Sequence, residues 1–301
     1  MSAGRGRGAP SIVAGPVAAA GPRAESGRMS APPPRPLPPI LRDKHPEAAS
    51  AFTPQSLLRE ARRQRRIPDA PVPEVCILDP DGDVVRHLRA AGRARPVEGW
   101  ACYHSEMDRF EQGGRAFGIV GCAVGAPYAV LVAEQMFASG CRLLISITSS
   151  GQITALRPPP YFILIERALR DEGTSYHYLP AGDFAQADPA LVASVGAGLA
   201  EVGEPIERGA TWTTDAPYRE TAEAIAAARA AGLLAVEMEA AALYAFAAAR
   251  RRAVLCFAHV TNRMGQAGDF EKGEADGAPT SLALAQAVAE AWARSRAPRP
   301  G

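Results

Sequence analysis

Residues 235–245 read AVEMEAAALYA, and this stretch decides how the rest of the chain is organised. A short apolar run, Leu233, Leu234 and Val236, meets an alanine-rich segment of high helix propensity, so the chain turns here from a strand into a helix. At such a corner side chains can face a ligand while the backbone beneath them stays fixed. Glu237 and Glu239 flank Met238 at that point. As ionised acceptors two residues apart, they suit a vicinal diol such as the 2′,3′-hydroxyls of a ribose. They equally suit the first turn of a helix, where a carboxylate offsets the dipole. Their neighbours in the chain favour the first reading.

Strands and helices alternate on both sides of this corner. Apolar runs predict buried strands at 75–78, 117–122 (FGIVGC), 142–148 (RLLISIT), 206–212 and 253–260 (AVLCFAHV). Thr53-Pro54 reads as an N-cap with proline at the first helical position, opening a helix to about Arg66, and the turn Asp79-Pro80-Asp81-Gly82 leads into another through Arg89. Further helical patterns occupy 127–139, 161–172, 188–201, 217–231, 238–251 and 281–294. This alternation predicts an α/β fold, a three-layer α/β/α sandwich around a mixed, largely parallel sheet. Its ligand site belongs at the carboxyl ends of the strands.

Composition narrows the function classes. The chain has 301 residues, 47% apolar, enough for one sizeable α/β core. Its 33 basic and 32 acidic residues nearly cancel, which argues against nucleic acid or an anionic membrane as partner. No run of 18 apolar residues is present to span a bilayer. Five cysteines without CxxC spacing read as reduced thiols of a cytoplasmic protein. Histidines and cysteines never cluster at metal-ligand spacing, and there is neither a GxGxxG nor a P-loop pattern, so no metal or nucleotide cofactor is expected. Residues 1–49, with APPPRPLPPI at 31–40, carry too little apolar content to fold and read as a disordered extension of a single domain over 50–296. His259, inside an apolar strand, reads as a core residue rather than a catalytic base, and His177 lies in a strand-like aromatic run.

Four loops at the expected strand ends carry polar chemistry. They are Gly121-Cys122-Ala123-Val124-Gly125-Ala126-Pro127, Thr148-Ser149-Ser150-Gly151-Gln152, Thr213 to Thr221 (TTDAPYRET) and His259-Val260-Thr261-Asn262-Arg263. Glycine and hydroxyl residues let backbone N–H and O–H groups approach an anion or a sugar closely.

Taken in order, GCAVGAP (121–127), LISITSSGQI (144–153), TTDAPYRET (213–221), AVEMEAAAL (235–243) and VTNR (260–263) resemble the nucleoside phosphorylase family, over about residues 74–294. That family contains the purine and uridine phosphorylases and related nucleosidases, and Asn262-Arg263 is similar to its uridine phosphorylase branch. The resemblance implies that Glu239 binds the ribose hydroxyls and Met238 packs under the sugar. It places Ser149, Ser150 and Gly151 at phosphate, ribose and base, with Gly125 also near phosphate. It puts Glu237 and Tyr218 beside the base and Arg263, with Asn262, at a pyrimidine carbonyl. Chemistry rather than the resemblance adds Arg219 as a further base donor. The implied reaction is phosphorolysis of a uridine-like nucleoside by a homo-oligomer, with phosphate as co-substrate and no cofactor. Purine-cleaving members carry an aspartate for which Asp269 is the nearby candidate.

The sequence departs from the family where phosphate should bind. The early glycine and arginine positions are Leu78 and Gly82, the strand arginine is Ser146, and no basic residue matches around Trp100 to His104. A phosphate dianion is usually held by charge-assisted bonds. Ser149, Ser150, the Gly151 amide and a helix N-terminus can still cradle it, which keeps phosphorolysis first. Hydrolysis, with Asp79, Asp81 or His104 positioning water, is the alternative; a non-catalytic nucleoside-binding protein is the more distant one.

Overall fold

In this computed structural model the described residues are 37–264 and 270–297. The expectations for residues 1–36 and for Asp269 lie outside them. The chain runs through α1 (Pro54–Arg65), β1 (Val75–Asp79), α2 (Asp83–Ala90), β2 (Arg95–Pro96), β3 (Asp108–Gln112), β4 (Arg115–Gly121), α3 (Ala126–Ala138) and β5 (Leu143–Gln152). It continues through β6 (Tyr161–Asp171), β7 (Phe184–Gln186), α4 (Pro189–Leu199), β8 (Glu207–Thr214), α5 (Ala222–Ala230), β9 (Ala235–Glu237), α6 (Ala240–Arg250), β10 (Ala253–Arg263) and α7 (Ala278–Arg296).

Local chemistry accounts for the main boundaries. Thr53 accepts the Ser56 amide and Pro54 holds the first position of α1, which ends where Arg66 turns left-handed. α6 starts as the alanine run begins and ends at Arg251, also left-handed.

Strands β1, β4, β5 and the first half of β6 are apolar and buried on both faces, as parallel strands between helical layers must be. β5 pairs in parallel with β1 and β10 and antiparallel with β9. Because β10 also pairs with β6, β6 with β8 and β8 with β9, these strands form a ring, and the ten-stranded mixed sheet is partly closed like a barrel. α1, α3 and α6 pack together on one side, and α2, α4 and α7 on the other. The buried Tyr244 of α6 pins helix to sheet, donating to the Ile165 carbonyl at 2.6 Å and accepting the Cys256 amide at 2.9 Å. The β10–β5 ladder slips between Val260 and Asn262, leaving Thr261 as an extra, bulged residue.

Several expectations are corrected. The segment expected to be a helix over 161–172 is instead strand β6, Tyr161–Asp171. The run Tyr161-Phe162-Ile163-Leu164-Ile165 pairs with β8 and β10, and the helix-compatible residues after it, Glu166 to Asp171, are carried along by pairing with β8 and β7. His177 lies in a 3-10 turn, Ser175–His177, rather than a strand. Residues 217–219 form a separate 3-10 turn, and α5 begins only at Ala222, where Thr221 caps it.

Candidate functional site

Glu239 lies at the junction of β9 and α6, 1% exposed. One carboxylate oxygen accepts the Gly125 amide at 2.6 Å and the other the Thr148 hydroxyl at 2.9 Å. The start of α3 and the end of β5 therefore converge on it. Burial, then the neighbouring Glu237, pushes its carboxyl up to about 8, against the pull of those two bonds. Each oxygen keeps a second lone pair for a ligand hydroxyl.

Glu237 is held differently. It accepts the Thr211 and Thr213 hydroxyls and the amides of Glu239 and Ala240, both at 2.7 Å. It caps the first turn of α6 and is buried beneath it. Met238, between the two glutamates, is partly exposed.

The next strand end carries the serine loop. Ser149 donates its amide to Asp81 at 2.8 Å and its hydroxyl to the other Asp81 oxygen at 2.9 Å. Ser150 is buried with no partner for its Oγ. Gly151 pairs with Asn262 across the ladder, and a Cβ there would lie 2.1 Å from the Met264 sulfur, so any larger residue would have to move the Met264 side chain. Asn262 is partly exposed and Arg263 exposed at the end of β10. Tyr218 (98% exposed) and Arg219 stand in solvent on the turn after β8.

Acidic groups dominate this edge of the sheet. Asp79 is buried, accepts the Val85 amide at 2.9 Å and is pushed up to about 7, chiefly by burial. Asp83 opens α2 and binds both Arg86 and Lys272, the latter at 2.6 Å. Lys272 escapes sequence reasoning because its segment, FEKGEADG (270–277), looks like a polar loop. The segment is tied down by the Glu271 amide on the Thr261 carbonyl at 2.7 Å and by Gly277 against the His259 ring. His259 is buried, stacks on Phe162 at 4.4 Å and is pushed down to about 4 by burial and then Lys272, so it is neutral at pH 7. His104 is exposed. Among the described residues no group of three or more His, Cys, Asp or Glu is arranged to hold a metal ion, and no helix is long and apolar enough to cross a membrane.

The arrangement offers carboxylates to a polyol and to a developing positive charge, with amides and hydroxyls at the strand ends beside them. The crystal structure of uridine phosphorylase from Vibrio fischeri ES114, complexed with 6-hydroxy-1-naphthoic acid, matches with a TM-score of 0.60. The match covers 77% of this chain and 93% of that one at 18% identity, a likeness of fold. No curated protein matches. The model of the phosphorylase superfamily matches residues 60–293. The chain therefore belongs to the phosphorylase superfamily.

Proposed function

We propose that this protein cleaves the N-glycosidic bond of a nucleoside. The observation that carries the reading is Glu239, a buried carboxylate held by Gly125 and Thr148 at the carboxyl edge of the sheet with lone pairs to spare. The ribose 2′- and 3′-hydroxyls donate to it, and Met238 lies under the sugar. As the bond to the base lengthens, positive charge gathers on the ribosyl ring. In its ionised form, the Glu239 carboxyl fixed in a dry site stabilises that charge more than it stabilises the ground state, so activity should rise towards pH 8. Departure of the base is helped by Asn262 and Arg263, whose donors suit a pyrimidine carbonyl; a uridine-like nucleoside is the substrate this favours. Tyr218 supplies an aromatic face for the base, with Arg219 as a further donor. Ser150, whose hydroxyl has no partner among the described residues, and the Gly151 amide complete the sugar and base contacts. The similarity in fold to a uridine phosphorylase supports the same class of reaction.

The test is a turnover screen of purine and pyrimidine nucleosides, following base release with and without inorganic phosphate. Release of uracil or a related pyrimidine is expected. Saturable nucleoside binding without release of any base would instead identify a binding protein.

A further inference from the structure

Three of the donors that the sequence offers to phosphate are already used. The Ser149 amide and hydroxyl both bind Asp81, at 2.8 and 2.9 Å, and the Gly125 amide binds Glu239 at 2.6 Å. In each case a carboxyl group belonging to the chain sits on the anion-binding groups. The surroundings reinforce this. Gly82 has φ +78°, so any side chain there, a basic one included, is strained. Ser146 is buried within the sheet between Leu78 and Cys256. Arg86 and Lys272, the basic side chains beside Asp83, are both engaged by it.

We infer that Asp81 is a built-in anion that takes the place of phosphate on Ser149, so that water attacks the ribose and Asp81 orients it. This rests on the N-glycosidic reading above. A phosphate dianion at Ser149 would have to displace a bidentate carboxylate or sit against its charge, and like charges at that range repel strongly. Water meets no such opposition. Each Asp81 oxygen has a lone pair left after binding Ser149, enough to accept a water proton. In the step, the water oxygen bonds to C1′ as the C1′–N bond breaks. The electron pair remains on the base nitrogen. The proton lost by water passes to Asp81 and then, through solvent, to the base, leaving free ribose.

Two measurements on the full chain test this. Inorganic phosphate is titrated by calorimetry into wild type, Asp81→Ala and Asp81→Asn, with circular dichroism to check folding. Wild type is expected to show no saturable binding, and Asp81→Ala to bind phosphate at least about tenfold more tightly, since the competing charge is gone. Base release by wild type is expected to be indifferent to phosphate and to yield ribose, and to fall about tenfold or more in both variants. Saturable phosphate binding by wild type with ribose 1-phosphate as product would overturn the inference, as would a folded Asp81→Ala that binds phosphate no better. If wild type cleaves no nucleoside, the functional reading fails and the hydrolytic step with it. Phosphate binding by Asp81→Ala alone would then still establish Asp81 as the occupying anion.

Discussion

The Glu239 carboxylate meets the Gly125 amide at 2.6 Å across 114 residues of chain, fixing the corner after β9 to the first turn of α3. Burial of that carboxyl, with Glu237 beside it, makes the stability of the site depend on pH against the pull of the Gly125 bond. The folded-state pKa of Glu239 is raised from 4.5 to about 8, so folding favours the protonated form. Its contribution is complete below pH 4.5 and is lost as pH rises through about 8. Glu239→Gln should therefore melt a few degrees above wild type at pH 8, with the gap closing towards pH 4.5, while kcat/KM falls by about 100-fold or more. Calorimetry across pH and a nucleoside assay check both halves. Retained turnover by the folded variant would remove Glu239 from the sugar.

Glu237 should behave in the opposite sense. Its carboxylate satisfies two threonine hydroxyls and two α6 amides, all buried. Glu237→Ala strands those donors and should cost about 2–4 kcal/mol of stability. Glu237→Gln, which retains an acceptor, should cost less. Urea denaturation separates the variants, and equal stability of wild type and Glu237→Ala would show that the cap is dispensable.

His259 works in the other direction. It is lowered from 6.5 to about 4, so its neutral form is favoured by folding and its contribution, intact above pH 6.5, is lost as pH falls through 4. Asp79, raised from 3.8 to about 7, acts like Glu239 and loses its contribution as pH rises through 7. Between pH 4.5 and 6.5 the two carboxyls lose more than His259 gains, so the melting temperature should fall as pH rises across that range. His259→Phe, which preserves the stack on Phe162, should make that fall steeper. An unchanged slope would show that His259 does not set it.

On the base side, Arg263 and Tyr218 are exposed, so their removal should leave the melting temperature within about 1 °C. If they contact a pyrimidine, Arg263→Ala and Tyr218→Ala should each raise KM by about tenfold or more. Steady-state kinetics on uridine-like and purine nucleosides reads the effect. Unaltered kinetics for both substrate classes would leave these residues as solvent-facing side chains.

Much of the fold was legible because its signals are local. The corner at 235–245, the capped start of α1 and the apolar strands β1, β4 and β5 follow from short runs of residue type. β6 was not, because its second half, Glu166 to Asp171, has a composition that suits a helix and is extended only through pairing with β7 and β8. The candidate site divides the same way. Glu239, Ser149 and Gly125 stand out in sequence, but that Ser149 would be bound by Asp81 depends on a turn 68 residues away. The placement of Lys272 on Asp83, across 189 residues, has no local signal at all.

Thr261 has a consequence for how this site can change over generations. As the extra residue in β10, it resets the alternation of the strand just before Asn262 and Arg263. Substitution alters what those two positions carry but not the faces they point to. Loss of the single codon for Thr261 would exchange those faces, turning Asn262 to the side now held by Arg263 and the reverse. If Asn262 and Arg263 meet the base, base preference in this chain is open to deletion as well as to point mutation.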